Sequence, residues 1–445
     1  MRSFTHLGFA ALLAASGLGF GLGAPAEAAQ VKLDAELGQA AIVGQKTRTI
    51  YLRISLEGIA LDEGVRRTPV NVAVVIDKSG SMEADGKMEK AREGAAMALG
   101  RLSAEDIAAV VAYNQEVDVL LPATKLTKQG EIQRAIDELH AGGNTALYAG
   151  TEQGLREVMK FADREHVNRV VLISDGLANV GPADPETVAA LGRKAAEKGI
   201  SITTIGLGLG YNEDLMSKLA YSSDGNHAFV AEAGDLVDIF NKEFGDVLSV
   251  VAQELIIEIE CRQGFKPIRV LGREAEISNG RITARLNQLY GRQRKYMVVE
   301  LEVPSDVRAG DIDVADVKVR YSSALGAKDE EVSSRVGVKV TDRDDEAEAS
   351  LNKPVMTDVT TQIATEKNEE AVRLRDEGKT DDAVKLLKEN SEYLRAQAGV
   401  LGSDDLDKLG AENEAQAGSV ASGDWNATRK AMRAKQYKDK TMQAY

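Results

Sequence analysis

The stretch Val72–Met82, VAVVIDKSGSM, constrains this chain more than any other. Val72, Ala73, Val74, Val75 and Ile76 run unbroken. A strand with one buried face alternates, whereas a continuous apolar run needs cover on both faces, as in a parallel sheet sandwiched between helices. The run ends in Asp77-Lys78-Ser79-Gly80-Ser81, and a helix-like segment, Lys87–Leu102, follows. In open α/β sheets ligands bind beyond the carboxyl ends of the strands. Asp77, Ser79 and Ser81 put three hard oxygen donors at that spot, a chemistry suited to Mg²⁺, Ca²⁺ or Mn²⁺ and not to soft metals.

The surrounding pattern predicts an α/β fold. Residues 69–253 alternate strand and helix: RVVLIS at Arg169–Ser174 is a second buried run, and Asp184-Pro185 opens a helix that Gly199 stops. This alternation implies a doubly wound, mostly parallel sheet with helices on both faces. On either side the period is two. Ile50, Leu52, Ile54 and Leu56 share a face in residues 30–66, where two strands are expected, and Ile257, Ile259 and Cys261 do so in residues 254–341, where about six are expected. One β-sandwich interrupted by the inserted α/β domain accounts for both halves. Residues 342–356 begin as an acidic, polar linker. Residues 357–399 read as a C-terminal helical hairpin, and residues 400–445 as a flexible or weakly helical tail.

Residues 1–28 have the form of a signal peptide. Arg2 precedes the apolar Leu7–Ala24, and Ala26-Glu27-Ala28 fits the small-x-small cleavage rule. The expectation is an exported chain, periplasmic, secreted or associated with the cell surface, with no transmembrane span once the signal is removed. The one cysteine, Cys261, excludes an intramolecular disulfide. A formal net charge of −15 argues against nucleic acid, because phosphate contacts need clustered Lys and Arg. The four histidines are not spaced as a metal pair, and neither Ser79 nor Ser81 has a nearby histidine to serve as base, so no enzyme is expected.

Two further turns supply the same kind of atom as the first: Thr145 in GGNTAL and Asp175 in ISDG. Taken alone, each residue could cap a helix or set a turn. Asp77-x-Ser79-x-Ser81, then Thr145, then Asp175 together resemble the metal-ion-dependent adhesion site of von Willebrand factor type A domains, in residue type and in chain order. The resemblance covers roughly residues 69–253. The flanking sandwich and export signal are similar to bacterial proteins often labelled Ca-activated chloride channel homologues and, more distantly, to inter-α-trypsin inhibitor heavy chains.

The resemblance implies a Rossmann-like fold and a divalent cation at Asp77, Ser79, Ser81, Thr145 and Asp175, with Mg²⁺ first and Ca²⁺ or Mn²⁺ as alternatives. The two carboxylates would hold it partly through water, leaving one position for an outside oxygen. It further implies a protein partner that offers an Asp or Glu. The functional expectation is a non-enzymatic binding or adhesion protein. The alternative is a structural assembly or scaffold subunit of the cell envelope in which the metal only stabilises the fold.

Overall fold

The computed structural model describes residues 30–445 except 45, 61–66, 127–128 and 444. The signal peptide expected at 1–28 lies outside the described residues. Three strands come first: β1 Val31–Leu37, β2 Ala41–Val43 and β3 Thr49–Gly58. The α/β unit opens with β4 Val70–Asp77, a 3-10 segment at Gly80–Gly86, α1 Lys87–Gly100, β5 Ile107–Tyr113, β6 Val117–Lys125, α2 Gln129–Asp137 and α3 Leu147–Met159. It continues with β7 Val167–Ser174, α4 Pro185–Ala196, β8 Ile200–Leu207, α5 Glu213–Ser222, β9 His227–Val230 and α6 Leu236–Val247. Strands return as β10 Val250–Cys261, β11 Lys266–Leu271, β12 Ala275–Ser278, β13 Arg281–Tyr290, β14 Arg294–Glu302, β15 Gly310–Ser323 and β16 Asp329–Thr341. Helices α7 Asp344–Ala349, α8 Lys353–Asp376, α9 Thr380–Leu401, α10 Asp404–Ser422 and α11 Trp425–Thr441 complete the order.

The α/β sheet runs β6-β5-β4-β7-β8-β9, with every pairing parallel except β5 with β6. Every residue of β4, β5, β7 and β8 is buried, which is why their sequences show no alternation. Val72, Val74 and Ile76 pack with Ala91, Ala95, Phe240 and Phe244 from α1 and α6. Ala73 and Val75 on the other face join Leu155, Val188 and Leu215 from α3, α4 and α5. Local signals start the helices: Asp184 accepts from Thr187 N ahead of α4, with Pro185 in its first turn, and Asn212 accepts from Leu215 N ahead of α5. Because β4 pairs with β5 on one side and β7 on the other, the strand order reverses there, leaving a crevice at the carboxyl ends of β4 and β7.

The flanking segments build two sheets, β1-β3-β14-β11 and β12-β13-β10-β15-β16-β2. Ile50, Leu52, Ile54 and Leu56 of the first meet Ile257, Ile259, Ile282, Val317 and Val319 of the second. Each such side chain, fully buried, contributes about 1.5–3 kcal/mol relative to exposure. Among the described residues three strands precede the α/β unit and seven follow it, where two and about six were expected. β2, only three residues long, is too short to show a period.

Both chain crossings between sandwich and α/β unit are fastened at one turn. Thr68 Oγ1 donates to Ala324 O, and Ala324 N donates to Val251 O at 2.9 Å. Beside them Arg169, fully buried near the start of β7, donates to Thr203 Oγ1 at 2.9 Å, Gln288 Oε1 at 2.7 Å and Tyr290 OH at 2.6 Å. The sandwich therefore covers the amino ends of the parallel strands, and the crevice at their carboxyl ends points away from it.

The C-terminal segment, residues 342–445, departs from expectation in two places. The stretch 342–356, expected as a linker, holds α7 and the start of α8. The expected hairpin is present as α8 and α9, but 400–445, expected to be flexible or weakly helical, forms α10 and α11 packed against it. Apolar and polar groups share these contacts: Ala417 and Val420 of α10 and Met432 of α11 pack with Ala371, Val372 and Leu387, and amides join them. Asn368 Nδ2 and Asn390 Nδ2 both donate to Asn413 Oδ1 at 3.0 Å, and Gln436 Nε2 donates to Asn368 Oδ1 at 2.7 Å. Most basic residues of α11 are matched by acids. Arg429 pairs with Glu213, with Asp214 at 2.5 Å and with Asp376 at 2.9 Å, while Lys430, buried, donates to Glu213 and to Tyr211 O at 2.8 Å. Trp425, with no role assignable from sequence, donates to Asp376 Oδ1 at 3.2 Å.

Past α11 the chain reaches the Arg169 cluster: His227 N donates to Gln443 Oε1 at 2.9 Å, and Tyr445 OH donates to Glu243, one turn before Asp246 on α6. Burial, and next the Glu243 carboxylate, push the Asp246 carboxyl from 3.8 up to about 7. A folded-state pKa above the unfolded value means the folded protein holds the proton more tightly, so stability falls as pH rises from about 4 to about 7. Asp246→Asn is expected to remove that fall. In circular-dichroism melts the variant's midpoint should exceed the wild type's by a gap that widens from about pH 4, reaches several degrees by about pH 7 and is flat above it. A gap independent of pH would refute this assignment.

Candidate metal centre

The crevice at the ends of β4 and β7 is built from three turns joined through their backbones. Lys78 N donates to Tyr113 O at 2.8 Å, Gly142 N to Lys78 O at 2.8 Å, and Gly80 N to Gly143 O at 3.0 Å. Gly143 lies at φ +86°, and a Cβ there would fall 2.0 Å from Gln115 Oε1, so only glycine fits. Asn114 Nδ2 donates to Gly142 O at 2.7 Å, Gln115 Oε1 accepts from Asn144 N at 2.8 Å, and Asn179 Oδ1 accepts from Thr145 N at 2.8 Å. These bonds fix where the Thr145 hydroxyl sits.

The structure brings Asp77, Ser79, Ser81, Thr145 and Asp175 together. Ser79 Oγ lies 3.1 Å from Ser81 Oγ, and Ser81 Oγ donates to Asp175 Oδ1 at 2.6 Å. Gly176 reports the convergence: a methyl built on it would come 3.0 Å from Thr145 Oγ1, 3.2 Å from Ser81 Oγ and 3.7 Å from Ser79 Oγ. Three hydroxyls from two turns thus surround one point on the third. Asp77, Ser79, Thr145 and Asp175 form a buried floor, while Gly80, Ser81, Gly143, Asn144 and Leu177 form an exposed rim.

Residues that sequence reasoning missed hold the carboxylates. Ser79 N donates to Asp77 Oδ1 at 2.8 Å, Ser174 Oγ donates to Asp77 Oδ2 at 2.6 Å, and Tyr113 OH lies 3.4 Å from the same oxygen. Lys87 Nζ donates to Asp175 Oδ2 at 2.8 Å. Ser174 directly precedes Asp175, and the strand-end position was the available signal for it; nothing in the local pattern marked Lys87. Burial is the main force raising the Asp77 pKa. The Ser174 and Ser79 hydrogen bonds oppose it, and the neighbouring Asp175 charge adds to it.

This donor set fits a hard divalent cation. It contains oxygen alone, the Asp175 charge adds to the cost of ionising Asp77, and its hydroxyls converge without filling the space between them. Among the described residues no group of three or more His, Cys, Asp or Glu is placed to hold a metal, so any ion here depends on the hydroxyls. His227 is a core residue: burial pushes its pKa down to about 3, and its Nδ1 lies 2.8 Å from Thr204 Oγ1. Cys261 is half-buried on the sandwich, its thiol pushed up to about 11 by burial. Among the described residues no helix is long and apolar enough to cross a membrane.

Comparison with known proteins agrees with this geometry. Residues 71–242 match the model of the von Willebrand factor type A domain family. The chain is 29% identical over 209 residues to the uncharacterized protein YfbK of Escherichia coli, covering 46% of this chain and 36% of that one. It is 28% identical over 176 residues to inter-alpha-trypsin inhibitor heavy chain H3 of Pongo abelii, covering 38% of this chain and 20% of that one. The chain thus spans about a third or less of these two relatives. A solved structure described as von Willebrand factor type A from Catenulispora acidiphila superposes with a TM-score of 0.70 at 17% identity, covering 85% of this chain and 88% of the other, which shows a shared fold. Domains of this family serve in general as non-enzymatic interaction modules, and those with this motif bind a divalent cation. The strand order, the convergence of three turns at β4 and β7 and these matches together mark residues 71–242 as a von Willebrand factor type A domain.

Proposed function

We propose that this chain is an exported, non-enzymatic binding protein. It captures a protein partner through a divalent cation held by Asp77, Ser79, Ser81, Thr145 and Asp175. Mg²⁺ is the first choice because Asp, Ser and Thr oxygens with shared water suit its small octahedral shell. The partner supplies an Asp or Glu oxygen to the ion. The observation that carries the reading is the arrangement of a buried oxygen floor beneath an exposed rim, at the pole of the α/β unit opposite the sandwich. Leu177, 60% exposed, and Leu209, 42% exposed, stand on the turns that follow β7 and β8 beside this rim and give a partner apolar surface to rest on. Export rests on Arg2, the apolar Leu7–Ala24 and Ala26-Glu27-Ala28.

Crosslinking from the exported fraction, with and without chelator, tests capture. The expected result is a partner lost on chelation and lost with Asp77→Ala at unchanged circular dichroism. Capture that survives both would overturn the reading and leave the scaffold alternative, in which sandwich and helices make the contacts. The site itself is tested by Gly176→Ala, whose methyl crowds the Thr145 and Ser81 hydroxyls. The variant should melt within about 2 °C of wild type in chelator yet lose most of the rise in melting temperature that Mg²⁺ gives the wild type. A full Mg²⁺ response in Gly176→Ala would show that the ion sits elsewhere.

A further inference from the structure

We propose that Lys87 is a tethered cation that competes with the divalent ion for Asp175, so that a lone ion is held weakly and an added carboxylate completes the site. The inference rests on the metal reading above. Asp175 is fully buried, and its oxygens are divided between the Ser81 hydroxyl at 2.6 Å and the Lys87 ammonium at 2.8 Å. The Lys87 side chain is itself only 16% exposed, so water screens the pair poorly.

The position of Lys87 in its own helix argues that Asp175 holds it there. Lys87 is the first residue of α1, where the positive end of the helix dipole disfavours a cation. Gly86 before it lies at φ +68° and offers no side chain to cap the helix. Helix formation therefore gives no reason for a lysine at this place, whereas the unpaired charge of Asp175 does. Gly208 borders the end of the lysine: a methyl built there would lie 3.6 Å from Cε and 3.7 Å from Nζ.

Charge counting gives the consequence. Asp77 and Asp175 bring two negative charges and Lys87 one positive. A divalent ion added to this set leaves an excess of one positive charge, which opposes its retention. A partner carboxylate then brings the site to neutrality, with three negative charges against three positive. Removing the ammonium should make the lone ion bind more tightly and weaken its dependence on a carboxylate ligand.

The test uses the full chain, with Mg²⁺ alone as probe, titrated calorimetrically and followed by thermal melts. Lys87→Met keeps the length and removes the charge; Lys87→Arg keeps the charge. Lys87→Met is expected to bind Mg²⁺ about tenfold or more tightly than wild type and to melt lower in chelator, because Asp175 is left without a counterion. Lys87→Arg should stay within about threefold of wild type. A merely structural lysine would lower both melting temperatures without tightening Mg²⁺. If folded Lys87→Met binds Mg²⁺ no more tightly than a wild type that does bind it, the competition is refuted and the metal reading stands. If the wild type binds none of Mg²⁺, Mn²⁺ or Ca²⁺, the metal reading falls and this inference with it.

Discussion

Two carboxylates held close together in a dry place must be neutralised, and much of this molecule is arranged around that requirement. Asp77 and Asp175 end adjacent strands of a sheet whose central members are buried on both faces. The protein meets part of the demand with neutral donors: the Ser79 amide and the Ser174 hydroxyl on Asp77, and the Ser81 hydroxyl on Asp175. It meets another part with the Lys87 ammonium. What remains is an appetite for positive charge at a point bordered by the exposed Gly80, Ser81, Gly143, Asn144 and Leu177.

The other pole of the α/β unit answers a different need. There a guanidinium, Arg169, is fully buried where insertion and sandwich meet, and partners from β8, β13 and α6 surround it. Its two terminal nitrogens find partners, while Nε has none among the described residues, and those partners come from both units, so each depends on the other for the seal. The last segment of the chain closes the same region, with Gln443 on the edge strand β9 and Tyr445 on Glu243. The helices α8 to α11 are therefore fastened to both units: α8 lays Val355 and Val359 against Val298 of the sandwich, while α11 meets α5 through Lys430 and Glu213.

Apolar period made the sheet and the interrupted sandwich legible in the sequence, and the resemblance carried by Asp77, Ser79, Ser81, Thr145 and Asp175 did the same for the five converging residues. Unbroken runs such as Val72–Ile76 and Val170–Ile173 have one physical explanation, and donors on three strand ends in one order have few others. Lys87 and Asn179 were not legible, because their work depends on which turns meet in space, and sequence distance hides that. Helices α10 and α11 were missed for a related reason. Their contacts run through Asn413, Gln436, Lys430 and Arg429, and through the close approach of Gly410 to Ser391, whose hydroxyl donates to Gly410 O at 2.8 Å. Apolar side chains share this interface, Leu406 and Val420 of α10 and Met432 of α11, but amides and charges interleave with them.

The placement of the two chain crossings has a mechanical consequence. Thr68 and Val251, where the chain passes between sandwich and α/β unit, are gathered at Ala324, while the oxygen cluster lies at the far ends of β4 and β7. A tug exerted on that cluster and resisted at the sandwich runs lengthwise down these two strands. Load entering at Asp77 runs down the backbone of β4 to Thr68, and the part entering at Asp175 that passes to β4 strains their parallel ladder in shear, many hydrogen bonds at once, instead of peeling it open one bond after another.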